Sequence, residues 1–435
     1  MTASMILEHL SLVVAALIFA VLAGVPLGIL CHFYPAARKI VLRVVDLIQT
    51  TPALALLGII MVFIGPGKPT VIVGLALYSL LPIVRNTCLG LDQVRAENGR
   101  VLCSGRPGDI PRMDLNLRTG ERVLLVLGSF PAADFDALFE GTRALPWERF
   151  IPREGRFPVK GHSLNSALRS VPACQSIVKK AIAARLGAKY GLNTLPETGA
   201  LYQVQFSIMG DEAVLMLDTS GAGLHKRGYR AQGVAAPLRE TLAAAMVLLS
   251  RYRGRDPLCD PFCGSGTIPI EAALIAKNRA PGLNRTFSAQ KWACVDKKLW
   301  LQAADEAMDQ EFHGEYEIWG GDIDPEAVEL SRHNAALAEV DDVVRFEAED
   351  ARTFHWGGLY GRVVTNPPYG ERIMERREAE DLYRAFGKAW DKFPEGWKLY
   401  LLSSHTEFER AFGRRADKKR KLYNGMLKCD LFMYL

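Results

Sequence analysis

Asp260-Pro-Phe-Cys-Gly-Ser-Gly-Thr267 (DPFCGSGT) is the stretch whose reading decides the fold. It follows Asp256 to Asp260, which reads as a short strand, and precedes Ile268 to Lys277, which reads as a helix. Strand, glycine-rich turn and helix form the first half of a doubly wound nucleotide site. Gly264 and Gly266 let the backbone approach a ligand closely and adopt angles closed to other residues. A lone glycine pair would suit a tight βα turn equally well, so the segments that follow must arbitrate.

The wording of this turn resembles motif I of class I methyltransferases, which binds S-adenosylmethionine rather than a dinucleotide. That resemblance implies a donor site built from Asp260, Phe262, Gly264, Gly266 and Thr267. With no phosphate to cradle, the turn carries an acid, Asp260, able to face the donor's cationic amino-acid end directly or through water. Glu317 to Gly321 reads as a second strand ending in Asp322-Ile323-Asp324-Pro325, ahead of a helix over Glu326 to Leu337. A carboxylate at that strand tip is placed to accept both ribose hydroxyls, which assigns Asp322, with Ile323 packing on the adenine. Asp324, just before Pro325, suits a helix cap instead. A third strand, Val343 to Ala348, closes in Glu349-Asp350-Ala351, placing Asp350 to accept from the adenine amino group.

A fourth strand, Arg362 to Thr365, delivers Asn366-Pro-Pro-Tyr-Gly-Glu-Arg372. An exocyclic amino group conjugated to a purine is a poor nucleophile because its lone pair is delocalised. Accepting its two N–H bonds at the Asn366 side-chain oxygen and the Pro367 carbonyl favours a more tetrahedral nitrogen aimed at a donor methyl. Pro367 and Pro368 stiffen the acceptor pair, and Tyr369 can stack on a flipped base. Transfer then depends on positioning and polarisation, with no metal or activated nucleophile. An isolated Asn-Pro-Pro turn would be unremarkable; behind motif I at the end of strand four it is functional. Lys421 to Leu435, around Asn424-Gly425, reads as the terminal hairpin of the sheet.

NPPYGER, with LHKRGYR at 224–230, PLRETLAAA at 237–245, RAPGLNR at 279–285 and RADKKRKLYNGMLKC at 415–429, is similar to the 23S rRNA guanine-N(2) methyltransferases over residues 97–435. The resemblance implies a seven-stranded Rossmann-like sheet, S-adenosylmethionine as cofactor and 23S rRNA as partner, with Asn366, Pro367, Pro368 and Tyr369 catalytic. His225, Lys226, Arg227 and Arg230, and Arg414, Arg415, Lys418 and Lys419, would face RNA phosphates; a solvated linker and hairpin rim is the alternative for some of them. Adenine-amino enzymes share the NPPY solution, so the motif alone leaves the base open.

Between about Glu97 and Asp218 short apolar and amphipathic stretches alternate, the pattern of an α+β module. Strands are expected at Arg122–Gly128, Tyr202–Met209 and Ala213–Asp218, and helices at Asp134–Arg143 and Ser176–Leu186. Trp147, Phe150 and Phe157 stand among Arg149, Arg153, Arg156 and Lys160. That interleaving is compatible with RNA contact, although core aromatics beside a charged loop is the preferred reading. FEGTRALPWERFIP at 139–152 and QSIVKKAI at 175–182 look like the THUMP RNA-binding region of the same family, here behind a truncated ferredoxin-like piece.

The first 93 residues carry only eight charges, about 9%, in a chain that is 23% charged overall. Leu10 to Leu30 is long enough to span a bilayer. Leu47 to Ile64 and Val71 to Leu91 are further candidates, the latter having to tolerate Arg85. A signal peptide is the rival for the first run, but two more apolar segments follow it directly. Arg38, Lys39 and Arg43 put the first loop in the cytoplasm and, with three spans, the rest of the chain there too. GVPLGIL at 24–30, DLIQTTPALALLGI at 46–59 and LYSLLPIVRNTCLGLDQV at 77–94 resemble the permease subunit of osmoprotectant (glycine betaine, choline) ABC transporters. In those permeases a coupling helix for the ATPase follows; here RAENGRVLCSG does, so no ATPase partner is expected.

The net charge of +5 does not announce a nucleic-acid partner by itself, and eight scattered cysteines, with no CxxC pair and no His at metal-ligand spacing, argue against a zinc site, so no metal is expected. The expected organisation is an all-α transmembrane segment over 1–94, a truncated ferredoxin-like piece plus THUMP domain over 95–218, and an α/β class I methyltransferase over 219–435. The expected activity is methylation of a guanine 2-amino group in 23S rRNA, by a catalytic part in the cytoplasm that the apolar segment tethers to the membrane. A permease subunit with a vestigial tail is the alternative.

Overall fold

The apolar run at Leu10 to Leu30 lies inside a 31-residue helix, α1 (Ala3–Phe33), which continues through Pro26. The computed structural model describes residues 3–33, 41, 53–92, 95–97, 99–230, 238–370 and 375–435. The chain divides into a unit over Met1–Gly105 and another over Arg106–Leu435. In the first, α1 is followed by α2 (Ala53–Ile64) and α3 (Lys68–Asp92), then by a two-stranded antiparallel ribbon, β1 (Arg95–Glu97) and β2 (Arg100–Leu102). The small residues Gly24 and Gly74 allow close helix contacts: a Cβ there would lie 2.7 Å from Ile83 and from Leu57 respectively.

Among the described residues one helix, through its window Leu10–Leu27, is long and apolar enough to cross a membrane. The described part of the second expected span is α2, 12 residues. Residues 47–52 of that span lie outside the described residues, as does Val94. Helix α3, 25 residues long, contains the third expected span, Val71 to Leu91.

The second unit opens with α4 (Asp109–Asn116) and a four-stranded sheet built from β3 (Leu124–Pro131), β4 (Val159–Leu164), β5 (Val204–Met209) and β6 (Glu212–Asp218). The order is β3-β6-β5-β4, with β4 parallel to β5 and the other pairs antiparallel. Helix α5 (Phe135–Ala144) starts where the Asp134 carboxylate accepts from the Ala137 amide, and α6 (Val171–Tyr190) ends on Gly191 in the left-handed region. Trp147 and Phe157 are fully buried in this core, and the Trp147 indole donates to the Thr142 carbonyl at 2.7 Å. The core reading of these aromatics therefore holds over RNA contact. Strand β4, VKGHSL, was not expected: its side chains are half-buried or exposed at the sheet edge, so it lacks an apolar alternation.

The remaining elements are α7 (Glu240–Leu249), β7 (Leu258–Asp260), α8 (Thr267–Ala276), α9 (Lys297–Asp309), β8 (Ile318–Asp322), α10 (Pro325–Leu337), β9 (Val344–Ala348), β10 (Tyr360–Thr365), α11 (Arg376–Trp390), β11 (Gly396–Ser403), α12 (Phe408–Phe412), β12 (Lys418–Asn424) and β13 (Leu427–Tyr434). They form the expected seven-stranded sheet, ordered β12-β13-β11-β10-β7-β8-β9. Strands β9, β8, β7, β10 and β11 are parallel, while β13 runs antiparallel to β11 and β12 antiparallel to β13. The strand order reverses between β7 and β10, the switch point at which open α/β sheets bind ligands beyond their carboxyl ends.

Segment 283–304 packs away from this sheet onto the neighbouring core. The Trp292 ring stacks on Tyr202 at 5.0 Å and its indole donates to the Leu201 carbonyl at 2.8 Å. Arg112 on α4 forms a two-point ion pair with Glu306 on α9, at 2.7 and 2.8 Å. The two sheets of this unit are thus joined by shared hydrophobic packing as well as by chain connectivity.

Candidate active site

Two loops leave the switch point, 261–266 after β7 and 366–370 after β10. A hydrogen bond from the Thr365 hydroxyl to Asp260 Oδ1, 2.6 Å long, ties their roots together. The same carboxylate oxygen accepts from the Phe262 amide at 3.1 Å. Asp260 is 1% exposed, and burial pushes its pKa up to about 7 against the opposing hydrogen bonds of Thr365 and Phe262. In this state the residue expected to face the donor's amino-acid end stitches the two loops from beneath.

The glycine loop is held from behind by α10. Ser331 donates to the Gly264 carbonyl at 2.7 Å and Asn334 to the Ser265 carbonyl at 3.0 Å; both side chains are buried. Gly264 and Gly266 have φ of +53° and +80°. A Cβ on Gly266 would meet Phe346 and Ser331 at 3.0 Å, whereas one on Gly264 would point into open space. The turn therefore presents bare backbone on one side and is packed on the other, a cradle that fits a flat ligand lying on the loop.

Asp322 accepts from the Gly264 amide at 2.9 Å through one oxygen and from the Asp324 amide at 3.0 Å through the other. The residue expected to hold the ribose thus fixes the glycine loop in this structure. Asp324 caps α10, accepting from the Glu326 amide at 2.9 Å. Ile323 is 66% exposed, an apolar face beside the carboxyl end of β8 that suits an adenine ring. Asp350 is engaged by the Arg352 guanidinium at 2.6 Å, which holds its carboxyl below the usual range. Thr267 accepts from Arg230 at 2.8 Å, and Phe262 stands edge-on to Phe386 with centroids 5.2 Å apart. The open backbone at Gly264 and the exposed Ile323 side chain fit the adenosine part of S-adenosylmethionine.

On the facing loop, Asn366 Oδ1 accepts a short hydrogen bond from the Tyr369 hydroxyl. Tyr369 packs against the core, near Cys429 Sγ at 4.0 Å, and burial pushes its phenol well above the ordinary value. The ring lies folded back in this state, where a stacking role would have it face an incoming base. Pro368 offers its carbonyl to the hydroxyl of the fully buried Tyr383 on α11, at 2.6 Å. Glu371 and Arg372 lie outside the described residues.

Two of the expected RNA contacts need correction. Arg227 is 3% exposed, pairs with the buried Glu271 at 3.2 Å and donates to the carbonyls of Leu117, Leu224 and Arg118. Its charge is used inside the protein, where no phosphate reaches. Arg230 is largely buried between Glu240, at 3.3 Å, and Thr267. His225 bonds Glu121 at 2.9 Å, whereas Lys226, Arg414, Arg415, Lys418 and Lys419 are exposed. Sequence reasoning missed Ser331, Asn334, Thr365 and Tyr383. The available signal was polar residues on the inner faces of elements flanking each motif.

Three family profiles match the chain: RMKL-like methyltransferase domain over 227–432, THUMP domain over 132–218, and RlmL ferredoxin-like domain over 87–124. The last begins ahead of Val94. Among curated proteins, YpsC of Bacillus subtilis (strain 168), an RNA methyltransferase by name, is 44% identical over 345 residues, 79% of this chain and 89% of YpsC. Ribosomal RNA large subunit methyltransferase K/L of Syntrophotalea carbinolica is 36% identical over 74% of this chain. The chain spans about half the length of that relative, 47%. A crystal structure from Listeria monocytogenes, an N6-adenine-specific DNA methylase by name, superposes with a TM-score of 0.75 at 46% identity, covering 79% of this chain and 89% of that one. SMU.472, solved in complex with SAH, gives a TM-score of 0.73 at 40% identity over 78% of this chain and 91% of its own. With the switch-point loops, the THUMP module and these relatives in agreement, the chain belongs to the RMKL-like family of S-adenosylmethionine-dependent RNA methyltransferases.

Proposed function

We propose that the two loops methylate the exocyclic 2-amino group of a guanine in 23S rRNA. The observation that carries this reading is Asn366 Oδ1 at the end of β10, poised as an acceptor and already accepting a hydrogen bond from the Tyr369 hydroxyl. An incoming amino N–H replaces that hydroxyl, and the Pro367 carbonyl takes the second N–H. The nitrogen lone pair, thereby less delocalised, forms the new N–C bond. The donor supplies an electrophilic methyl whose C–S bond breaks, and the nitrogen releases one proton to water. Asp260, Phe262, Gly264, Gly266, Thr267, Asp322, Ile323 and Asp350 hold the donor, while Lys226, Arg414, Arg415, Lys418 and Lys419 supply phosphate contacts. The rRNA assignment draws on the names of the K/L relatives, and guanine is preferred over adenine on the sequence wording around the site.

We further infer that residues 1–94 form a permease-like membrane fragment that tethers domains at 95–218 and 219–435 to the cytoplasmic face; the apolar window Leu10–Leu27 supports this. One experiment tests both readings. The full chain is expressed, the lysate fractionated with carbonate-washed membranes, and each fraction assayed for labelled methyl transfer to unmodified 23S rRNA, with digestion to nucleosides. N2-methylguanosine formed by the membrane fraction is expected. N6-methyladenosine as product contradicts the base assignment, and activity confined to the soluble fraction contradicts the tether.

A further inference from the structure

The hairpin β12–β13 is not used by the reading above beyond its basic residues, yet its position is distinctive. Strand β13 runs antiparallel to β11, with Asp430 opposite Ser403 at the carboxyl end of β11. The residues before Asp430 therefore extend past the edge on which the active-site loops stand. Cys429 Sγ lies 4.0 Å from the Tyr369 hydroxyl, and the Asn424 side chain lies beside the same hydroxyl. The hairpin tip is thus a wall of the Asn366–Tyr369 loop.

At the tip Asn424 pairs with Leu427, leaving Gly425-Met426 as a two-residue turn with Gly425 at φ +66°. Positive φ at the first turn position is the pattern of a type II′ turn, whose backbone twist matches that of the flanking strands. Met426 is 101% exposed and Tyr423, just before the turn, 62% exposed. An apolar side chain held fully in water at the tip of a tight turn contributes nothing to this fold. Behind the tip, Lys418, Arg420, Lys421 and Lys428 are exposed and carry no ion pair among the described residues, while Lys419 is paired with Glu409 at 2.5 Å. An apolar point on a cationic ribbon beside an amino-methylating loop matches the chemistry of a stacked, anionic RNA strand.

We propose that the Gly425-Met426 tip is a wedge: Met426, flanked by Tyr423, enters the RNA stack and fills the gap left when the target nucleotide leaves it, while the β12 cations hold the flanking phosphates. Apolar side chains inserted between base steps compensate lost stacking, and the unbranched methionine adapts to irregular gaps. This inference rests on RNA being the substrate, which wild-type transfer to 23S rRNA checks separately.

The test compares full-length wild type with Met426→Ala on two RNAs. One is a folded 23S rRNA fragment containing the nucleotide that wild type methylates. The other is the same fragment with an abasic site opposite or next to that nucleotide, so that it is already unstacked. A wedge predicts roughly a tenfold lower kcat/KM on the intact fragment and less than about a twofold change on the abasic one. S-adenosylmethionine affinity, measured calorimetrically, stays unchanged. Tyr423→Ala is expected to show the same split to a smaller degree. Equal loss on both fragments, or no loss on either, overturns the proposal.

Discussion

Asp260 and Asp114 are buried carboxylic acids, each pushed up to about 7, with burial the main cause. Asp114 accepts from the Ser220 hydroxyl at 2.6 Å through one oxygen, and the nearby Asp218 charge adds to its rise. Each acid binds its proton more tightly folded than unfolded, so between about pH 4 and pH 7 the native state holds the extra proton. Stability is therefore highest at the acid end of that window and falls as pH rises through about 7. All seven tryptophans lie beyond residue 106, so their fluorescence follows the Arg106–Leu435 unit alone. Its thermal midpoint should fall between pH 5 and pH 8, and Asp114→Asn and Asp260→Asn should each flatten part of that slope. A midpoint that rises over the window contradicts the account of these two acids.

The segment 224–230 shows what an element does with charge. In sequence LHKRGYR is a cationic run, and a surface role is the natural reading. In the fold it bends back so that Arg227 meets Glu271 on α8 and the Tyr229 hydroxyl meets the same carboxylate at 3.3 Å. Arg227→Ala leaves Glu271 buried without a counter-charge, a cost of about 3–5 kcal/mol. Urea unfolding followed by tryptophan fluorescence should show that loss, whereas a residue serving only RNA would leave the midpoint unmoved. The same contrast explains what was legible. Strands β7 to β10 and the loops after them were readable because each apolar run ends in a polar motif whose chemistry depends on that position. The bound pair at Arg227, edge strand β4 and helix α9 were not, because partners about 40 residues or more away decide them. The terminal hairpin was expected at Asn424-Gly425, and its turn sits one residue later, at Gly425-Met426.

At the scale of the molecule, the seven-stranded sheet converts two short loops into one crevice. Family resemblance carried the donor and methyl transfer to RNA correctly, and the relatives bear out both. The three-span expectation reaches only one membrane-length apolar helix among the described residues. The sequence pattern carries the other two spans, since residues 47–52 lie outside the described residues. The central claim is that Asn366 accepts from the target amino group while other residues hold the donor. Full-length wild type and Asn366→Ala, both saturated with S-adenosylmethionine, should therefore be compared in single-turnover methyl transfer to 23S rRNA, with donor affinity measured in parallel. A rate at least about a hundredfold lower with unchanged donor affinity is predicted; an unchanged rate would contradict it.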